Sequence, residues 1–414
     1  MSGIVLSASV RQNLLSLQST ADLLSITQNR LATGNKVNSA LDNPTNFFTA
    51  QGLNNRASDI SNLLDSIGNG VQVLQAANTG ITSLQSLVDT AKSIANQVLQ
   101  APAGYTVKAS ATSLAPTGAG PLQVAGTAAD LTNAGTNSLN GKTFVFTPAA
   151  GAATTITVSS TVAAGNVNSI DAFNAALTSA GLGLTASLAS DGSITLTSSN
   201  DNASQTLTLG TTAAANNIAI SGTDTATLVT PTGGSAGKPV ADASSQTIRA
   251  GLVSQYNNII AQITTTAQDS SFNGINLLNG DTLKLTFDET GKSTLSVQGV
   301  TFNAAGLGLA SLTAGTDFLD NSSANGQLTK LSAASSTLRS EASSLGSNLS
   351  IVQIRQDFNK NLINVLQTGS SNLTLADTNE EAANSQALST RQSIAVSALA
   401  LANQSQVSVL QLLR

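Results

Sequence analysis

Residues 10–34 read VRQNLLSLQSTADLLSITQNRLATG and predict a long amphipathic helix near the start of the chain. Apolar side chains recur there in alternating steps of four and three residues, the heptad pattern of a helix that packs along other helices. Gly34 suits the residue that ends such a helix, because glycine adopts the left-handed backbone conformation without strain. We call the apolar face of this helix its seam, which includes Val10, Leu14, Leu17, Leu24 and Leu31.

A second long helix is predicted after Pro44, because proline is well accommodated in the first turn of a helix. Its apolar pattern continues, with one phase shift, to about residue 98. Gly68, Gly70 and Gly80 lie within it, and each costs up to about 1 kcal/mol relative to alanine in an isolated helix. This helix must therefore gain its stability from packing. Its seam includes Ile60, Leu64, Ile67, Val71 and Leu74.

Helical periodicity returns in the second half of the chain. Residues 248–263 predict one helix, a β-hairpin is predicted near 281–302, and a third seam then runs to about residue 373. This third seam includes Leu345, Leu349, Val352, Ile363 and Leu366. A final helix from about Asn379 to Leu413 carries an apolar face formed by Val396, Leu399, Val407, Leu410 and Leu413.

Residues 103–243 have a different character, rich in Gly, Thr, Ser and Ala. Short stretches with alternating apolar side chains predict strands, and Asp191-Gly192 between two of them is a strong signal for a hairpin turn. Ser169–Ala180 predicts one short helix. The sequence therefore predicts a mixed fold: an α-helical coiled-coil rod built from both termini, with a β-hairpin and an inserted, mainly β outer domain.

The composition excludes several classes of function. Only 9% of the 414 residues are charged, the net charge is -5, and the chain contains no Cys and no His. A zinc finger, an iron–sulfur site, a disulfide and a Ser-His-Asp triad are thereby excluded. We expect no enzyme activity, no cofactor and no metal. The lack of basic clusters predicts no nucleic-acid binding. The sequence predicts no membrane insertion and no Sec signal peptide.

The first and last helices, about 1–33 and 379–414, carry apolar faces that one pair of helices buries poorly. Isolated helices are marginal in water, so we expect them to become ordered when several copies assemble. Ordinary core helices of a monomeric bundle are the alternative. The apolar pattern that reaches Leu412-Leu413 favours assembly over this alternative.

Isolated charges stand beside these seams. Glu380 and Glu381 are predicted to begin the last helix, where the positive end of the helix dipole favours acids. The cations are interpreted as pairing across helices or across subunits, and the sequence does not name their partners: Arg30, Lys36, Arg56, Arg339, Arg355 and Arg391.

Four motifs resemble those of bacterial flagellins. RLATGNKVNSALDN at 30–43 resembles the flagellin signature RLSSGxRINSAxDD. IGNGV at 67–71, followed by NTG at 78–80, is similar to ANDGI…TEG. FNGINLL at 272–278 resembles FNGxxLL, and ALANQ at 400–404 with VLQLLR at 409–414 resembles LAQANQ…VLSLLR. Together these motifs are specific, and they cover roughly 1–100 and 245–414.

The resemblance implies a structural subunit that polymerises into the extracellular filament of the bacterial flagellum for swimming motility. It implies export by the flagellar type III system and, as partners, an export chaperone, the filament cap and hook-associated proteins. Residues 1–43 and 372–414 would form terminal inner-tube helices. Residues 44–102 and 244–371 would form a helical rod domain with the hairpin near 281–302, and residues 103–243 would form the variable outer domain.

The resemblance also bears on an immune receptor. The family's Toll-like receptor 5 epitope carries arginines on the helix near residues 87–97, where this chain has Asp89 and Ala91. We therefore expect weak or no recognition by that receptor.

Two other functions stay open at the level of sequence. A hook–filament junction protein has similar termini, and its copy number in isolated filaments would distinguish it from a filament subunit. A secreted adhesin with flagellin-like termini would keep its function when the termini are deleted.

Overall fold

The structure is a computed structural model that describes residues 8–112, 131–132, 139–149, 152–161, 163, 165–189, 193–209, 217–221 and 235–412. Its helices are α1 (Ala8–Thr33), α2 (Pro44–Gln100), α3 (Ile170–Ser179), α4 (Ala243–Asp269), α5 (Asn321–Thr374) and α6 (Thr378–Leu412). Gly34 follows α1 with φ of 70°, as predicted, and α2 begins at Pro44. The two phases of the second seam form one continuous helix.

The strands are β1 (Tyr105–Val107), β2 (Ser110–Thr112), β3 (Thr143–Pro148), β4 (Thr154–Val158), β5 (Asn166–Val167), β6 (Leu184–Leu188), β7 (Ile194–Ser198), β8 (Thr206–Leu209), β9 (Asn217–Ser221), β10 (Ser235–Gly237), β11 (Val240–Ala241), β12 (Thr282–Thr286) and β13 (Thr294–Gln298). The mixed fold class, helical terminal regions with an inserted region of strands, is confirmed. The predicted β6–β7 pairing is present and antiparallel, whereas the Asp191-Gly192 turn lies outside the described residues.

The inserted region contains two main sheets. One has the strand order β10-β2-β7-β6 and the other has the order β5-β4-β3-β9-β8. Within the second sheet, β4–β5 and β8–β9 pair in parallel, which periodicity alone does not reveal. The core between these elements contains Phe144, Phe146 and Phe173, and the ring of Phe173 meets that of Phe144 edge-on at 5.1 Å. Ser169 caps α3 by accepting a hydrogen bond from Ala172 N.

The chain divides into two compact units. Unit 1 comprises Met1–Leu74, Leu283–Val297 and Ser347–Arg414, and unit 2 comprises Gln75–Thr282 and Gln298–Gly346. In unit 1, Ala57, Ile60 and Leu366 form a buried apolar cluster. Asn359, which is also buried, donates from Nδ2 to the carbonyl of Phe287 at 2.9 Å. The finer division into terminal, rod and outer domains stays a prediction.

The glycines of α2 have the packing role that the sequence required of that helix. A Cβ on Gly70 would overlap Leu285 Cδ2, and a Cβ on Gly80 would overlap Ser270 Oγ and lie 2.6 Å from Leu278 Cδ1. By contrast, a Cβ on Gly68 would meet only Gln356 Nε2, at 3.9 Å. Two of the three glycines therefore permit close packing of a neighbouring segment.

Gly80→Ala is expected to lower the free energy of unfolding by about 1–3 kcal/mol, because overpacking outweighs the gain in helix propensity. The matched variant Gly68→Ala has room for its methyl group and is expected to be neutral or slightly stabilising. Thermal or urea unfolding of both variants checks the difference. Equal stability of the two variants would contradict the packing role of Gly80.

Candidate functional site

The terminal helices α1 and α6 pack along each other within unit 1. On the inward side of α1, Val10, Thr20 and Thr27 are buried, and Leu17 and Leu24 are half-buried. The inward side of α6 contributes Glu381, which is 8% exposed, followed by half-buried Leu388 and Leu399. This contact is therefore partly polar and leaves much of the apolar surface of both helices uncovered.

Hydrogen bonds join the connection after α1 to the end of α5 and to the connection before α6. Lys36 N donates to Thr374 O at 2.7 Å, and Ala376 N donates to Gly34 O at 2.9 Å. The Nζ of Lys36 donates to Asn372 O at 3.3 Å. These bonds fix the start of the α1–α6 pair.

The loop before α2 is held by one carboxylate. Asp42 Oδ2 accepts hydrogen bonds from Asn38 N at 2.9 Å and Ser39 N at 2.8 Å. The backbone hydrogen bonds from Ser39 and Asn38 lower the pKa of Asp42. The ionised carboxylate of Asp42 therefore stabilises the folded loop at pH values above the ordinary pKa of the carboxyl. This stabilisation is lost as the pH falls through the lowered pKa. Leu41, 96% exposed, lies on this ordered loop.

An ion pair that the sequence did not specify links the two terminal helices. Arg30 Nη1 lies 3.2 Å from Glu381 Oε1, with the side chains 37% and 10% exposed. The predicted position of Glu380 and Glu381 in the first turn of the last helix is confirmed. Helix-dipole reasoning could not have found the partner of Glu381, because Arg30 lies 351 residues away in the sequence.

The residues predicted for the subunit interface divide between two surfaces. Val10 is buried, and the half-buried members are Leu17, Leu24 and Leu399. The exposed members are Leu14, Leu31, Val396 and Val407. Leu410 lies in α6 but its side chain is not described, and Leu413 lies outside the described residues. Their role between subunits stays a prediction.

The structure adds exposed apolar residues that the seam assignment missed. On α1 and α6 these are Leu15, Leu23, Ile26, Ile394 and Leu401, between 47% and 70% exposed. The adjacent pairs Leu14-Leu15 and Leu23-Leu24 contained the signal, because neighbouring positions on a helix point about 100° apart and cannot share one seam. Each terminal helix thus has an inward face and a separate outward apolar face.

The residues predicted for the rod-domain seam lie away from solvent. Ile60, Ile67, Val71, Leu74, Leu345, Val352 and Leu366 are buried, and Leu64, Leu349 and Ile363 are half-buried. Helix α5 carries a second apolar row, one residue before the buried row of Val352, Asn359 and Leu366. This outer row consists of Ile351, Phe358 and Val365, which are 45%, 54% and 66% exposed.

Exposed apolar side chains are concentrated in unit 1. Among the described residues, all but five of the twenty-one large exposed ones belong to it. The five in unit 2 are Val107, Val240, Ile248, Phe272 and Val300. Extensive exposed apolar surface marks contacts with other proteins, so unit 1 is the candidate assembly surface.

Several cations have partners within the chain. Arg56 Nε pairs with Glu289 Oε1 at 2.6 Å, and the guanidinium of Arg355 lies over the Phe287 ring at 5.9 Å. Arg339 bonds to Ser335 on its own helix. Arg391 is exposed on α6. The prediction that the cations pair across helices is therefore confirmed for Arg30, while pairing across subunits stays untested.

Within the described part of the chain, no cluster of three or more carboxylates is placed to hold a metal ion. In the same part of the chain, no helix has the length and apolarity that crossing a membrane requires.

Comparison with known proteins identifies the two helical regions. The bacterial flagellin N-terminal helical region matches residues 5–116, and the bacterial flagellin C-terminal helical region matches residues 328–413. Flagellin FljM of Caulobacter vibrioides is 34% identical over 164 residues, which is 39% of this chain and 59% of FljM. Flagellin FljK of the same organism is 33% identical over the same shares of both chains. The chain thus spans 59% of the length of these curated relatives.

Among solved structures, the D1-D2-D3 domains of the flagellar cap protein FliD from Escherichia coli align with 67% of this chain and 99% of that chain. The TM-score is 0.15 at 13% identity, which is too low to establish a shared fold. The similarity to flagellins rests instead on the sequence matches. Both helical regions of the bacterial flagellins are thus matched, in order, on either side of the inserted β region, so the helical parts of the chain are similar to those of bacterial flagellins.

Proposed function

We propose that the chain is a structural subunit that polymerises through unit 1 into the extracellular filament of the bacterial flagellum. The single observation that carries the proposal is the concentration of exposed apolar side chains in unit 1, on the outward faces of α1, α5 and α6. Burial of one such side chain stabilises an interface by about 1.5–3 kcal/mol. Repetition of the contact along a helical polymer supplies the driving force for assembly.

The low charge of these faces supports the same proposal. Burying an unpaired charge in an interface is costly, and the charges near the outer row of α5 are already paired within the chain. Asp357 Oδ1 lies 3.7 Å from Lys360 Nζ, and Arg355 faces Phe287. Docking of another copy on Ile351, Phe358 and Val365 therefore buries few unpaired charges.

The similarity to flagellins supports export, motility and partners as parts of the proposal. In this proposal the chain leaves the cell through the flagellar type III system and meets an export chaperone, the filament cap and hook-associated proteins. The absence of Cys suits a chain that passes unfolded through a channel. A structural role requires no catalytic residue and no cofactor.

Electron microscopy of the purified full-length chain, after addition of salt and filament seeds, tests the proposal directly. We expect tubes of uniform diameter above a critical concentration. Leu401→Ser removes a side chain that is 70% exposed in unit 1 and is expected to raise that concentration roughly tenfold. The matched variant Val300→Ser, at a 43% exposed position of unit 2, is expected to leave it unchanged. A wild-type chain that forms no tubes with seeds present would refute the proposal.

Weak recognition by Toll-like receptor 5 is part of the proposal. Asp89 is 67% exposed and pairs with Lys92 at 3.6 Å, whereas Ala91 is fully buried and offers a receptor no contact. Purified monomer is expected to give little response in a cell reporter assay for this receptor, compared with an arginine-bearing flagellin as positive control. A potent response would overturn this expectation.

A further inference from the structure

We propose that α3 and the side chain of Asn174 close the edge of strand β6 against strand addition by a second copy of the chain. Self-association is thereby restricted to the helical unit 1, because the strands that the structure describes in the inserted sheets then offer no open long edge. The inference goes beyond the proposed function and does not rest on it, since edge pairing is measurable on unassembled protein.

Strand β6 is the edge strand of the inserted sheets that is most open to strand addition by a second copy. It has five residues, whereas the other edge strands of the two inserted sheets, β5, β8 and β10, have two, four and three. Its sequence LTASL contains no charge and no proline, and its register with β7 has no bulge. Charges, prolines and bulges are the usual protections of an edge strand, so β6 needs another one.

Asn174 on α3 supplies that protection at the centre of the edge. Its Oδ1 accepts a hydrogen bond from Ala186 N at 2.6 Å, and its Nδ2 donates to Ala186 O at 3.0 Å. One side-chain amide thus satisfies both backbone groups of Ala186. This is the pair of bonds that a residue of an incoming antiparallel strand would make.

The hydrogen-bond pattern between β6 and β7 explains why the bonds to Ala186 block strand addition. Backbone groups of successive residues in a strand point alternately to the two neighbouring strands. Because Ala186 gives both groups to Asn174, its neighbours Thr185 and Ser187 face β7, where their partners are Thr197 and Thr195. The outward groups of β6 belong to Leu184, Ala186 and Leu188, and Asn174 occupies the middle one.

Packing holds α3 in place over the edge. Phe173, the residue before Asn174, is fully buried. Its ring packs edge-on against those of Phe144 and Phe146, with ring centroids 5.1 and 6.3 Å apart. Without the Asn174 amide, two backbone groups would be left unpaired beneath the helix. Opening of the edge would then become roughly ten- to a hundredfold more frequent.

The experiment uses the full-length chain without seeds and a fluorescent peptide of residues 193–199, SITLTSS, as a probe for strand addition. We expect Asn174→Ala to bind the peptide at least about tenfold more tightly than wild type and to form thioflavin-positive oligomers. Ser179→Ala, an exposed change on the same helix that leaves the bonds between Asn174 and Ala186 in place, serves as the matched control and is expected to behave as wild type.

A rescue variant separates edge opening from simple destabilisation. Thr185 is exposed on β6, and the added change Thr185→Lys places a charge on the opened edge without restoring the lost bonds. Asn174→Ala/Thr185→Lys is expected to lose peptide binding and oligomers. Oligomers that persist in the double variant, or an Asn174→Ala chain that matches wild type, would overturn the inference. Failure of the wild-type chain to form filaments would refute the proposed function alone.

Discussion

Removal of residues 379–414 is expected to abolish filament formation and to leave a soluble chain whose inserted sheets and α2–α5 packing remain folded. The deletion removes α6, and with it the inward partner of α1 and the exposed side chains Ile394, Val396, Leu401 and Val407. Helix α1 also loses the ion pair from Arg30 to Glu381. A solitary helix of this length is marginal in water, so α1 should then lose order.

Seeded assembly followed by electron microscopy measures the effect, and circular dichroism reports the loss of helix. No tubes are expected even at concentrations on the order of a hundredfold above the wild-type critical concentration. A matched control deletes a larger segment elsewhere. Val107 and Val240 are antiparallel partners, so residues 108–239 can be replaced by an Asn-Gly turn.

This control variant retains both terminal helices and is expected to assemble. The outcome that would contradict the proposal is therefore specific: tubes from the chain without residues 379–414, or their absence from the chain without residues 108–239. The first result would show that the terminal helices are dispensable. The second would transfer the assembly role to the inserted region.

The second large effect is expected at Arg249. Its side chain is 2% exposed, and the guanidinium donates to Pro102 O at 3.3 and 3.1 Å, to Phe318 O at 3.1 Å and to Asn321 Oδ1 at 3.3 Å. Burial lowers the pKa of Arg249, and the carboxylate of Asp320 opposes that shift. Arginine nevertheless stays charged in proteins. Arg249 thus joins three segments of unit 2: the end of α2, the start of α4 and the start of α5.

Arg249→Ala is expected to lower the free energy of unfolding by roughly 3–5 kcal/mol, because buried carbonyl groups lose their donors. Arg249→Lys is expected to recover part of this loss, since an ammonium group cannot reproduce the planar fork of the guanidinium. Urea unfolding with hydrogen exchange read out at β1 and β11 measures the effect. Arg391→Ala, at an exposed position, serves as the control and should change stability by less than about 0.5 kcal/mol. If Arg249→Ala lowered the free energy of unfolding by less than that amount, Arg249 would not hold the three segments together.

Much of the fold was predictable from local pattern. The ends of α1 and α2 at Gly34 and Pro44 follow from the conformational limits of those residues, which act locally. Strands β6 and β7 follow from alternation, and α3 follows from its cap at Ser169. The parallel pairs β4–β5 and β8–β9 were not predictable, because strand partners depend on contacts between segments distant in sequence.

The candidate site was only half predictable. The heptad pattern identified Val10, Leu17 and Leu24, but it could not separate an inward face from an outward one, so Leu15 and Ile26 were missed. The partner of Arg30 and the bonds from Asn174 to Ala186 depend on which helices and strands meet, and periodicity carries no such information.

The sequence by itself determined the helices, the strands with clear alternation such as β3, β6 and β7, the flagellin motifs, and the classes of chemistry that a chain without Cys or His cannot perform. These properties depend on side-chain type and on short-range geometry. The tertiary structure alone decided which apolar side chains stay exposed, because burial depends on what packs against each face. It also decided that Gly80 accommodates Leu278, that Arg249 joins the segments flanking the inserted region, and that an amide of α3 closes the β6 edge.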